Sequence, residues 1–244
     1  VVGVLCMVHV VLFSFSRGGQ LGLCMVGIVL FTFAFLALPR KGLTVLAGLG
    51  VLWFALYFSG PEVRERFMSI FADKHERDAS AESRFVTWKA AWACMKEYPL
   101  GVGPRNFNVI SHYYGLSPGK SVHNLYLQTG ADYGFAGLFG MLLFYLGTAW
   151  NTYWMTFSKT AKKLVWPRYY GQMVCVSLSG FLTCSTFIGM ESVEVGYIIA
   201  LLGICTTSYV HRVADTEDVK RPVEKKPEEE KPSESLSDLV PGYY

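Results

Sequence analysis

What this chain lacks is charge over long stretches. Residues 1–15, 21–38, 43–59, 135–157, 169–188 and 195–210 contain no Asp, Glu, Lys or Arg. Charged residues make up 17% of the 244, hydrophobic ones 52%, and mean hydropathy is +0.30. Soluble domains carry roughly 25% charged residues. At ~1.5 Å per residue, runs of about 18–20 apolar residues cross a hydrocarbon core of ~30 Å. The composition excludes a soluble globular domain and predicts an all-α, polytopic transmembrane helical protein. Paired cysteines are also lacking. Cys6, Cys24, Cys94, Cys175, Cys184 and Cys205 show no short spacing and five lie in apolar runs, so they read as small packing residues rather than disulfides or metal ligands. His9, His75 and His112 have no partner spacing, which argues against zinc. The first apolar run has no basic segment before it, so it does not read as a signal peptide. The chain starts at Val1 inside that run, and the reading expects further spans ahead of it. A net charge of +3 does not call for nucleic acid.

What is present is one polar island, residues 60–123, set between apolar segments. It holds most of the charge found outside the C-terminal tail. Such a contrast predicts a large extramembrane loop. Within it, 62–71 reads as a short amphipathic helix and 73–78 as a solvated, mixed-charge stretch. Residues 83–97 read as a helix with Phe85, Trp88, Trp92 and Met95 at offsets of three and four. Ser80 and Glu82 suit its start, and two Trp on one face suit a membrane interface. Tyr98-Pro99-Leu100-Gly101-Val102-Gly103-Pro104 ends that helix, residues 106–114 form another short one, and 115–120 a turn. From His123 the chain re-enters the apolar region. Gly130, Gly134, Gly137 and Gly140 allow close packing or a break near the start of that span. From His211 the tail is rich in Glu, Lys and Pro, without apolar periodicity, and is predicted to be disordered.

The expected organisation is therefore transmembrane helices over 1–59, a helical extracytoplasmic loop over 60–123, transmembrane helices over 124–212 and a disordered cytoplasmic tail over 213–244. Basic turns at 39–42 and 159–168 set the orientation, because such loops stay cytoplasmic. The island and Arg17 then lie on the other side. An arginine there, followed by two glycines, is either a headgroup anchor or a cation for a phosphate-bearing ligand.

Four stretches, taken in order, resemble one family. They are Ser16-Arg17-Gly18-Gly19; Glu82-Ser83-Arg84 with Trp88-Lys89-Ala90-Ala91; Tyr98-Pro99-Leu100-Gly101-Val102-Gly103 with Asn106-Phe107; and His123-Asn124-Leu125-Tyr126-Leu127-Gln128 with Tyr133-Gly134-Phe135-Ala136-Gly137-Leu138. Together, over roughly residues 10–210, they resemble the C-terminal half of the O-antigen ligase and polymerase superfamily, whose members usually have about twice as many spans. The resemblance implies a metal-independent membrane glycosyltransferase with no cofactor, in the bacterial inner membrane, with its site on the periplasmic face. It implies an undecaprenyl-diphosphate-linked glycan as donor and a glycan, lipid or protein hydroxyl as acceptor, without nucleic acid.

The family's two arginines and histidine fall on Arg17, Arg84 and His123. Guanidinium groups bind phosphate oxygens bidentately and keep their charge, and in a part-buried site they stabilise a leaving diphosphate. An imidazole is the side chain suited to take a hydroxyl proton near neutral pH. Arg105, Asn124 and Asp132 are placed with the substrate. For Arg105 the choice is a phosphate contact or a water-facing side chain. For Asp132 it is orienting His123 or Arg84, or capping a broken helix. Glu191 reads as a solvated turn carboxylate. Two other readings stand beside the enzyme: a non-catalytic component or transporter of lipid-linked glycans, and an inactive fragment. A transporter would set ionisable groups near the bilayer midplane, and the spans have few.

Overall fold

The computed structural model describes residues 2–14, 16–58, 79–189 and 194–220. The expected helix over 62–71, the mixed-charge stretch 73–78, Glu191 and the tail beyond Lys220 lie outside the described residues. Among the described residues every regular element is helical: α1 (Val2–Phe13), α2 (Arg17–Ala37), α3 (Lys41–Phe58), α4 (Ala79–Glu97), α5 (Asn106–Ile110), a 3-10 turn (Ser111–Tyr114), α6 (Leu125–Met155), α7 (Lys159–Leu164), α8 (Trp166–Ser185) and α9 (Val195–Lys220).

The helix starts are written locally. Ser16 accepts from the Gly19 N–H at 3.3 Å to open α2, Asn124 accepts from Leu127 N–H at 3.0 Å to open α6, and Ser158 accepts from Ala161 N–H at 3.1 Å to open α7. Each satisfies one of the donors a helix start leaves free. Pro167 sits in the first turn of α8, where its missing N–H costs nothing.

Among the described residues three helical stretches are long and apolar enough to cross a membrane: Gly18–Ala37, Leu125–Met155 and Val195–Thr216. The protein is thus polytopic. Helix α8 has the length of a span but carries Arg168, Gln172, Ser177 and Ser179. Helices α2, α6 and α9 all pack on it, and Arg168, Gln172 and Ser179 are part-buried while Ser177 is exposed. A helix with protein neighbours need not be apolar all round.

Helices α2, α6 and α9 each run antiparallel to α8. Gly18 and Gly22 at the start of α2 meet Phe187 and Cys184 beyond or near the end of α8. Tyr126 at the start of α6 donates its hydroxyl to the Leu182 carbonyl at 2.8 Å. At the other end, Gly171 packs on Thr156 and Met155, and Tyr209 of α9 lies 5.1 Å from the Trp166 ring. The bundle therefore has two unlike ends. One gathers Arg17, His123 and the end of α8. The other carries Arg40, Lys41, Lys159, Lys162, Lys163 and Arg168.

The last described helix extends past the boundary expected at residue 212. Helix α9 runs on to Lys220, so residues 213–220 are helical where the tail was expected to be disordered. Val210 is buried in a cluster with Met155 and Ala161, and Thr216 donates back to the Arg212 carbonyl at 2.8 Å. Once a helix is anchored, each added residue gains a hydrogen bond without a new nucleation cost.

The island's helical part shares a small core with the start of α6. Ala90, Ala91, Cys94 and Met95 of α4 pack with Phe107, Val122 and Ala131. Burial and a 2.8 Å hydrogen bond to Glu97 hold the Tyr114 phenol protonated well above its ordinary range.

Candidate active site

Helix α6 is broken at Gly134, whose φ of 72° and ψ of −170° only glycine adopts without strain. The break releases backbone groups that a continuous helix would pair. The segment 99–103 fills the gap. Val102 N–H donates to the Ala131 carbonyl at 3.1 Å, Gly103 N–H to the Asp132 carbonyl at 2.8 Å, and Phe135 N–H to the Pro99 carbonyl at 3.0 Å. A Cβ on Gly134 would strike the Pro99 carbonyl, and one on Gly101 the Asp132 carbonyl. The Pro-Leu-Gly-Val-Gly run is thus a plug shaped to the broken helix. It docks the island onto α6 at Ala131, Asp132 and Phe135.

His123 is exposed and has a φ of 53°, in the left-handed region. Its Nε2 lies 3.3 Å from Ser121 Oγ. Both neighbours are buried and tied down. The Val122 carbonyl accepts from the Thr87 hydroxyl at 3.4 Å, and the Val122 N–H donates to Gln128 Oε1 at 3.3 Å. Asn124 caps α6 and donates Nδ2 to the Thr186 carbonyl at 3.0 Å. The Thr87 hydroxyl also reaches the Arg84 carbonyl at 2.8 Å. One hydroxyl therefore touches the backbone beside His123 and the backbone of Arg84, whose side chain is half-buried.

The third element arrives through Phe187. A Cβ on Gly18, next to Arg17, would come within 2.9 Å of Phe187 Cβ, and the Phe187 ring centroid lies 6.4 Å from that of Trp88, one turn beyond Arg84. Thr186 and Phe187 are thus where the elements bearing Arg17, Arg84 and His123 meet.

The remaining residues divide. Asp132 is 4% exposed, and its carboxylate accepts from Phe107 N–H at 3.2 Å and Gln128 Nε2 at 2.9 Å. Asn124 is 5% exposed with both ends of its amide bonded to protein. Both side chains face inward; their contacts hold the island and α8 around His123. Arg105 is exposed, with a φ of 59°, two residues before Phe107. Among the described residues no group of three or more His, Cys, Asp and Glu has the arrangement of a metal site.

Thr87, Phe187 and Gln20 were not singled out in the sequence, and Gln128 appeared there only as the end of the His123 motif, without a role of its own. Gln20 is 3% exposed, one turn into α2 after Arg17, and both polar atoms of its amide lack a hydrogen-bond partner among the described residues. Its signal in the sequence was a lone amide opening a chargeless run. For Thr87 and Phe187 no local signal exists, because their partners are distant in the chain.

The family model described as O-antigen ligase matches residues 2–142, which include Arg17, Arg84, Arg105, His123, Asn124, Gln128 and Asp132. No curated protein and no solved structure matches the chain. With that match spanning more than half of the chain and the apolar helices around it, the chain belongs to the O-antigen ligase family of membrane proteins.

Proposed function

We propose that the protein transfers a glycan from undecaprenyl diphosphate to an acceptor hydroxyl in cell-envelope polysaccharide biosynthesis. His123 takes the proton from the acceptor hydroxyl, whose oxygen attacks the anomeric carbon. The bond from that carbon to the diphosphate oxygen breaks, and undecaprenyl diphosphate leaves with the bonding pair. Arg17 and Arg84 hold the diphosphate and stabilise its growing charge.

The observation that carries this reading is the convergence of three helix-borne elements at Thr186 and Phe187, with Thr87 joining the backbone at Arg84 to the backbone at His123. An exposed imidazole on the same end of the bundle as the half-buried Arg84 suits a bulky acceptor meeting a lipid-anchored donor. The acceptor side is extracytoplasmic, because the basic residues cluster at the opposite end of the bundle. The site needs neither metal nor nucleotide, since the donor brings an activated bond.

The test is transfer from a lipid-diphosphate glycan in proteoliposomes. His123→Ala should lower turnover on the order of 10²–10⁴-fold with donor binding retained. Near-parent turnover at equal protein level would remove His123 from the chemistry.

A further inference from the structure

We infer that Gln128 is a positioning residue for His123, an assignment that rests on the base role proposed above. Gln128 is 1% exposed and sits in the first turn of α6. Its two amide ends do different work. Nε2 donates to Asp132 Oδ2 at 2.9 Å, and Oε1 accepts from Val122 N–H at 3.3 Å. A carboxylate only accepts and a backbone N–H only donates, so the amide fits one way round. Its backbone N–H donates to the Asn124 carbonyl at 2.9 Å. One residue thus ties both flanks of His123.

What those ties hold is unusual. At a φ of 53° His123 adopts a conformation that residues with a β-carbon rarely take. Such a conformation persists only where the surroundings over-determine it. Val122 is fully buried, and Thr87 holds its carbonyl while Gln128 holds its N–H. Asp132, itself fixed by Phe107 N–H, keeps the Gln128 amide from turning. Without the amide, the segment 121–124 relaxes toward ordinary extended φ and the imidazole swings off the acceptor. The Gln128 side chain is enclosed by protein and reaches the reaction only through His123.

The experiment is a double-mutant cycle on the whole chain in proteoliposomes, with Gln128→Met and Gln128→Asn as alternative first variants. Met keeps length and volume, and Asn keeps the amide but is too short to bridge. Each should lower kcat on the order of 10²-fold, the scale of a misplaced catalytic group, with the KM for the lipid-diphosphate donor within about twofold of the parent. In a His123→Ala background the same change should alter turnover by less than about twofold, because there is no imidazole left to misplace. Multiplying losses in the two backgrounds, or a donor KM that rises along with the fall in kcat, would overturn the inference while leaving the base role intact. A His123→Ala protein as active as the parent would overturn the base role first and this inference with it. If Gln128→Met fails to accumulate in membranes, Gln128→Asn carries the same cycle.

Discussion

Thr87 shares its one hydroxyl hydrogen between the Arg84 carbonyl one turn back, at 2.8 Å, and, more weakly, the carbonyl of Val122, 35 residues further along the chain, at 3.4 Å. This contact couples the helix that carries one proposed donor ligand to the loop that carries the proposed base. Thr87→Val keeps shape and removes the hydroxyl. Its loss should cost about 1 kcal/mol of stability and reduce transfer more than that destabilisation alone explains. Thermal unfolding in detergent, set beside kcat at equal protein level, checks it. Unchanged kcat would reduce Thr87 to a packing residue.

Gly134 and Gly101 face each other across the plug. Gly134→Ala adds a Cβ against the Pro99 carbonyl in a backbone region closed to L residues, and Gly101→Ala, at a φ of 84°, does the same against Asp132. Either should destabilise on the order of 3 kcal/mol or more. Gly140→Ala, with open space around it, is the control and should be close to neutral. Melting temperature and membrane abundance report the difference.

Arg17→Lys and Arg84→Lys keep the charge and lose the planar fork. Both should impair transfer, and Arg→Ala at either position should weaken binding of the lipid diphosphate as well as turnover. Donor affinity is measured by titrating the lipid diphosphate into nanodiscs. Equal affinity in the Ala variants and the parent would make the two arginines interface anchors.

Gln20 gives effects of opposite sign. A buried amide with neither end paired costs about 1–3 kcal/mol, so Gln20→Leu should raise the melting temperature. One turn from Arg17, the same change should lower transfer if the amide meets the donor. A gain in stability with no change in KM or kcat would show that the amide has no part in donor binding.

Orientation is checked by single cysteines on a cysteine-free background. Tyr113→Cys, at a residue 77% exposed on the island, should label in intact cells with a membrane-impermeant thiol reagent. Lys159→Cys, at the basic end, should label only after lysis. The reverse pattern would put the site on the cytoplasmic side.

The sequence by itself determined the helices, the basic end and the motif residues. Those properties are local: apolar transfer free energy adds along a run, a cap acts over three residues, and charge orients the nearest loop. The break at Gly134 was legible as one of four glycines, and the structure selected it because the Pro99 carbonyl needs the space a Cβ would take. The hydrogen-bond partners of the polar residues around His123 were decided only by the fold. Asp132 and Asn124 read as substrate contacts while their partners were unknown. Those partners are Phe107, 25 residues away, and Thr186, 62 residues away, and no window of sequence contains them. A buried polar side chain takes its meaning from whichever group completes its hydrogen bonds, and that group is chosen by packing.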